Sequence, residues 1–286
     1  MTLAATAALP AQPTRAGCPH AALPAYAHND YANARPLDDA LALGFRGVEA
    51  DLFLVLGELR LGHDRREAKR GATLEATYLA PLQALVARCG TLTEDGRPFL
   101  LAVELKERSR PAFDSLLAAL ARHPEMFAPS DAPPVEIVLV GWTPAALTGL
   151  PVPMGRQVLL RAPDGRAPAA TDPSVRLIGL DYHKTMGRWW TTSARRRRWL
   201  SSMRAVRAAS PAQRLRAFHV PVNARVYRAL QAAGVDLIGT RDLARTARLL
   251  GAPRSGPGRS LGGELDSSSA EGPARPSIPK HGPGRG

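Results

Sequence analysis

Short apolar runs alternate with amphipathic stretches from Pro24 to Leu250. The runs Ala25–His28, Gly47–Leu54, Phe99–Leu105, Glu136–Val140, Gln157–Arg161, Arg176–Leu180, Arg216–Val220 and Asp236–Gly239 have strand length. Several are near-continuously apolar or β-branched, as parallel strands covered on both faces require. Between them Leu37–Leu43, Leu74–Arg88, Phe113–Arg122, Arg195–Ala208, Arg225–Ala233 and Asp242–Leu250 read as amphipathic helices. Asn223 and Thr240 stand near helix starts, where short polar side chains cap. Repeated strand–helix units predict a parallel α/β fold. About eight of them in one domain predict a (β/α)8 TIM barrel, which takes roughly 250 residues. The rival, an open doubly wound sheet, places a glycine-rich loop after its first strand. Here that position reads His28-Asn29-Asp30.

One segment departs from the alternation. Leu52–Leu61 reads as two strand pieces around Gly57-Glu58, a hairpin following the second barrel strand that would lift His63 over the barrel mouth. The ends also differ from the middle. Residues 1–23 form a leader whose stretch Thr2–Pro13 is small and apolar, like the tail of a secretory signal peptide without its charged start. It fits either export, to a secreted or periplasmic location, or a disordered cytoplasmic leader. Residues 251–286 are Gly, Pro, Ser and Arg with almost no large apolar side chains, so they are expected to stay disordered. The barrel is assigned to residues 24–250.

Composition narrows the function classes. A chain of 286 residues with 45% hydrophobic content suits one sizeable core, and no run approaches the roughly 20 apolar residues of a membrane span. The net charge of +13 comes mainly from arginines spread along the chain, so nucleic acid is not the expected partner; the chain is expected to be a monomer. The exception is Arg195–Arg198 behind Trp189-Trp190. That stretch fits a lip touching anionic lipid, or a solvated helix start. Cys18 and Cys89 have no metal-binding spacing. They fit a disulfide, which needs an oxidising compartment, or two unrelated thiols.

The candidate chemistry falls at strand ends, where barrel enzymes place it. His28 ends the first strand, Glu49-Ala50-Asp51 the second, Glu104-Leu105-Lys106 the third and Asp181-Tyr182-His183 the sixth, while His63 follows the hairpin. Strand residues two apart share a face, so Glu49 and Asp51 project together. Like charges so placed are costly to bury without a cation. With Glu104 they form an oxygen-only set suited to one divalent cation, Mg²⁺ or Ca²⁺; pairing with local arginines is the alternative. His28 and His63 are candidates for proton transfer. Lys106 shares the phase of Glu104 and would bind a phosphate oxygen, serve as internal counter-ion, or both. Asp181 is a further candidate, with ordinary loop polarity as its alternative.

The stretch A-H-N-D-Y, then R-P-L-D-D-A-L-A-L-G-F-R-G-V-E-A-D-L-F-L-V, G-E-L-R-L-G-H-D and T-L-E-A-T-Y-L-A-P-L, between Ala27 and Leu82, resembles the altered inheritance of mitochondria protein 6 family. That family lies among the phospholipase C-like phosphodiesterases, with the glycerophosphodiester phosphodiesterases and sphingomyelinase D enzymes. Ala102–Lys106 is similar to the superfamily's E-x-K strand, and Gly234–Asp242 to its last-strand G-V-D-x-I-x-T-D. The resemblance implies a barrel phosphodiesterase of lipid or glycerophosphodiester substrates. It implies His28 and His63 as the acid–base pair, Glu49, Asp51 and Glu104 as metal ligands, and Lys106 on the phosphate. The glycerophosphodiesterases read H-R-G where this chain has His28-Asn29-Asp30, so an arginine is missing and Asn29 stands as a weaker phosphate or metal contact. A catalytically silent barrel binding an anionic ligand or nucleic acid is the rival reading. The intact histidines and carboxylates argue against it.

Overall fold

A computed structural model describes residues 17–127, 133–140, 155–160, 175–183 and 193–251, with backbone alone at 155–160, 193–196 and 198. Most of the leader, the tail and Trp189-Trp190 lie outside the described residues. The strands are β1 Ala25–Ala27, β2 Gly47–Val55, β3 Glu58–Leu61, β4 Phe99–Leu105, β5 Val135–Val140, β6 Gly155–Leu160, β7 Val175–Asp181, β8 Arg214–Phe218 and β9 Leu237–Thr240. Their order is β1-β9-β8-β7-β6-β5-β4-β2-β3, and β1 also pairs with β2. Eight strands therefore close on themselves through parallel pairings, and β3 hangs from β2 as an antiparallel ribbon. This is the expected TIM barrel.

Strand phase divides the side chains into two layers. On β4, Phe99, Leu101, Val103 and Leu105 join the large apolar layer beneath the helices, with Val48, Ala50 and Leu52 of β2. The alternate residues Leu100 and Ala102 pack inside the barrel with Tyr26, Val138, Val140, Leu177 and Leu237. Continuing that inner phase brings Glu49, Asp51 and Glu104 above an apolar floor, since Glu49 pairs with Ala102 and Asp51 with Glu104. Gly239 of β9 is needed for the floor: a Cβ there would stand 2.5 Å from the Tyr26 ring.

The helices are α1 Asp38–Ala42, α2 Arg65–Ala68, α3 Ala80–Cys89, α4 Arg110–Ala121, α5 Ser193–Ala209, α6 Ala224–Ala232 and α7 Leu243–Leu250. Asn223 caps α6 as expected, accepting from the Arg225 and Val226 N–H groups. Asp242, not Thr240, caps α7. Thr240 instead ends β9, and its hydroxyl accepts from the Asp242 N–H. The helix expected over Leu74–Arg88 is broken into a π-helical turn, Glu75–Leu79, followed by α3. Pro81 explains the break: it has no N–H for the next helical bond, and Ala80 before it donates to Glu75 five residues back.

The hairpin is present, but its turn is Leu56-Gly57, one residue earlier than expected. Both central residues have positive φ, 52° and 83°, and Val55 faces Glu58, as a type I′ turn requires. Strand β8 begins two residues before the expected position and stops at Phe218. His219 follows with φ 53°. Cys18 and Cys89 form a disulfide joining the segment before β1 to the end of α3. Of Arg195–Arg198, the described Arg197 side chain is exposed on α5. Among the described residues no helix is long and apolar enough to cross a membrane.

Candidate active site

The β1–α1 loop is built around Asp30. Its buried carboxylate accepts from the Leu37 N–H at 2.6 Å, the Tyr78 hydroxyl at 3.0 Å and Asn33 Nδ2 at 3.0 Å. Burial pushes this carboxyl up from its ordinary range, opposed by these donors. The residue thus anchors the loop. Asn29 beside it is buried in the left-handed conformation, and among the described residues no hydrogen bond ties its side chain to the acidic cluster. The loop does deliver Tyr31, whose hydroxyl donates to Asp51 Oδ2 at 2.8 Å. Burial, with the Asp51 charge next, holds that phenol far above its usual range.

Glu49, Asp51 and Glu104 each bring a carboxylate oxygen within 4.8 Å of the others. Asp51 is the hub, at 1% side-chain exposure. Its Oδ2 meets the Tyr31 hydroxyl, Lys106 Nζ at 3.0 Å and His63 Nδ1 at 3.1 Å. Its Oδ1 is buried without a hydrogen-bond partner, a costly position for a carboxylate oxygen unless something electropositive meets it. Lys106 also reaches Glu104 Oε2 at 3.0 Å. Burial would lower its ammonium, yet Asp51 and Glu104 outweigh that and raise it. So Lys106 is the internal counter-ion that strand phase allowed. An all-oxygen donor set with an unsatisfied buried oxygen fits a hard divalent cation.

Glu49 is held from below. Arg216 of β8, itself fully buried, donates Nη2–H to Glu49 Oε2 at 2.8 Å. Its guanidinium carbon lies 4.2 Å from the Tyr26 ring centroid and 4.9 Å from that of Phe218. Burial alone would lower this guanidinium, but Glu49 more than offsets it.

His28 donates its backbone N–H to the Thr240 carbonyl at 2.8 Å, which pins it where β1 meets β9. Its Nε2 stands 3.6 Å from Glu49 Oε2, with 15% of the side chain exposed. Burial, then the charges of Arg216, Arg241 and His219, push its imidazole down to about 3. His28 is therefore unprotonated near neutral pH. The folded-state value lies below the unfolded value of about 6.5, so the unfolded chain binds more protons between them. In chelated protein, His28 should cost stability progressively as pH falls from about 6.5 to about 3, by a few kcal/mol in all. Urea unfolding at stepped pH checks this. His28→Gln should flatten that part of the slope, and an unchanged slope would disprove the assignment.

His63 sits at the opposite extreme, with 63% of its side chain exposed. Its backbone N–H donates to Glu67 Oε2 at 2.8 Å, and Asp64 caps α2 immediately after. The short helix thereby holds the hairpin exit over Asp51. Asp181 ends β7 and reaches the mouth through His219: its Oδ1 lies 3.2 Å from His219 Nδ1. The His219 ring centroid is 5.6 Å from that of His28. Tyr182 turns away to pack edge-on against Trp199. Arg241, directly after β9, is exposed, and among the described residues it has no ion-pair partner. Tyr31, Arg216, His219 and Arg241 were not picked out by sequence reasoning.

Residues 19–123 match the AIM6-like phosphodiesterase domain. Comparison with curated proteins returned no match. Solved structures similar to this chain include a glycerophosphodiester phosphodiesterase from Agrobacterium tumefaciens str. C58, at 17% identity and TM-score 0.49, covering 78% of this chain and 97% of that one. A protein from Aquifex aeolicus VF5 is similar at 12% identity and TM-score 0.48, covering 81% and 90%. A malate synthase from Haloferax volcanii follows at 10% identity and TM-score 0.40, covering 85% and 76%.

Proposed function

We propose, from the match of residues 19–123 to the AIM6-like phosphodiesterase domain, that the chain is a metal-dependent phosphoric diester hydrolase using His28 and His63 for general acid–base catalysis. The observation that carries the reading is the carboxylate trio of Glu49, Asp51 and Glu104 with the unpartnered Asp51 oxygen at its centre. Bound there, Mg²⁺ or Ca²⁺ would neutralise charge developing on a non-bridging phosphoryl oxygen. Glu49, Asp51 and Glu104 would hold it.

The protein's own groups divide the remaining work. His28, unprotonated and buried, accepts the proton of the attacking oxygen. His63, exposed and oriented by Asp51, returns a proton to the leaving oxygen. Lys106 spends two of its three donors on Asp51 and Glu104 and has one for a phosphoryl oxygen. Arg241 supplies positive charge on the side where the H-R-G arginine is missing, with Asn29 as a weaker contact. The substrate is a glycerophosphodiester or a phospholipid-like diester, met by a monomer. For a lipid, that meeting takes place at an anionic membrane surface. The Cys18–Cys89 disulfide supports a secreted or periplasmic location.

The test is a panel of glycerophosphodiesters, lysophospholipids, sphingomyelin and bis(nitrophenyl) phosphate, assayed with Mg²⁺, Ca²⁺ or chelator. One class should turn over with metal and stop in chelator, and metal should restore it. Full turnover in the chelated sample would remove the metal from the mechanism. Silence across the panel, with an anionic ligand still bound, would favour the binding-barrel reading.

A further inference from the structure

The mouth contains a third histidine–carboxylate pair. His28 stands beside Glu49 and His63 on Asp51. His219, on the far side of His28 from the hairpin, stands on Asp181. Register explains the last pairing. Asp181 at the end of β7 is the partner of Phe218 in β8, and His219 is the next residue. Its φ of 53° is uncommon for a side chain with a Cβ. Such a conformation is kept where the surroundings over-determine it, and it recurs at functional sites. Here the left-handed turn, the edge-on Phe218 ring at 5.0 Å and the Asp181 carboxylate hold one imidazole against His28, with half of it exposed to the mouth.

A carboxylate beside Nδ1 favours the tautomer that carries its proton there. With Nδ1–H donated to Asp181, the neutral imidazole has a lone pair on Nε2. Among the described residues Nε2 has no hydrogen bond of its own. Among the described residues, Asp181 of β7 pairs with this ring and His28 of β1 stands beside it, and His28 in turn feels the charges of Arg216 and Arg241. The ring centroids stand 5.6 Å apart, so both imidazoles border the same part of the mouth.

We propose that His219, oriented by Asp181, positions the attacking water, so that this site cleaves its diester by hydrolysis instead of stopping at a cyclic phosphate. The proposal rests on the phosphodiesterase reading and adds the fate of the phosphoryl group. A water molecule has two O–H bonds, and two imidazole acceptors fix its orientation. One proton passes to His28 as the water oxygen bonds to phosphorus. The P–O bond to the leaving group breaks, and that oxygen takes a proton from His63. The second O–H stays on His219 Nε2, and the products are a phosphomonoester and an alcohol. A substrate hydroxyl attacking its own phosphorus brings a single proton, which His28 takes, and makes no use of His219.

The experiment follows products by phosphorus NMR with a glycerophosphodiester that carries a free hydroxyl beside the phosphate. Wild-type enzyme should give the open monoester. His219→Ala should lower open-monoester formation at least tenfold while cyclic phosphate appears and persists. Asp181→Asn should shift the partition the same way, because the ring then loses its preferred tautomer. Nitrogen-15 NMR of the histidines gives a readout apart from turnover: His219 should carry its proton on Nδ1 in wild-type protein and lose that preference in Asp181→Asn. Circular dichroism confirms that both variants fold. Wild-type enzyme yielding mainly cyclic phosphate, or an unchanged product ratio in folded His219→Ala, would overturn the proposal. If wild-type protein turns over no diester at all, the phosphodiesterase reading fails, and this proposal fails with it.

Discussion

Alanine at His28 or at His63 is expected to lower kcat on an alkyl phosphodiester by about 10²- to 10⁴-fold, the range general acid–base groups supply. The two losses should differ in kind. His28 lies in the barrel wall beside Glu49, where burial disfavours its protonated form, and it is the proposed base. His63 is exposed beside Asp51, where solvent reaches it, and it is the proposed acid. A nitrophenolate leaving group needs little protonation. His63→Ala should therefore be much milder on a nitrophenyl diester than on an alkyl one, whereas His28→Ala should be equally severe on both. The double variant should be little worse than the worse single, because the two work on one proton path. Steady-state kinetics on the substrate pair decides it. Near-wild-type kcat for both single variants on the alkyl ester would mean that neither histidine moves a proton.

The largest stability effect is expected at Arg216. Its guanidinium and the Glu49 carboxylate are both almost fully buried and joined at 2.8 Å. Removing one member of such a pair leaves an uncompensated charge, which typically costs about 3–5 kcal/mol. Arg216→Met keeps much of the volume over Tyr26 and discards the charge, so it should lose that amount in urea unfolding of chelated protein. Combining it with Glu49→Gln should recover part of the loss, since the stranded carboxylate is then gone. If Arg216→Met unfolds at the wild-type urea concentration, Glu49 is neutralised by some other means, and the layered account of the barrel interior is wrong.

Why Arg216 escaped sequence reasoning is instructive. Its neighbours read Arg214-Leu215-Arg216-Ala217-Phe218, an alternation that places polar residues on a solvent face in an antiparallel sheet. In a closed barrel the same alternation points into the lumen. The partner that makes burial possible is 167 residues away. His219 was absorbed into an expected strand for a related reason. Apolar runs locate strands but end them poorly, and the chain leaves β8 through a left-handed residue with no glycine to announce it. The carboxylates were legible because their signal is local. Glu49 and Asp51 are two apart in an apolar run, so period alone puts them on one face. Glu104 and Lys106 repeat the pattern. The π-turn before Pro81 was legible in principle, since that proline falls inside an otherwise helical stretch.

The closure of the barrel has a further consequence. Both histidines proposed for proton transfer, all three carboxylates of the trio and Lys106 come from residues 28–106, within the first half of the ring. That half meets the rest of the ring along two seams, β5 against β6 and β9 against β1. Cut there, the first fragment would own nearly all of the proposed chemistry and lose two contacts that hold it in place. Glu49 would lose the guanidinium beneath it, and His28 the Thr240 carbonyl that pins it. Both of its outer strands would become open edges ready to pair with another chain. Reagents and frame are thus encoded in separate stretches, and an assay on the reagent-bearing stretch alone would read as an inactive, self-associating protein.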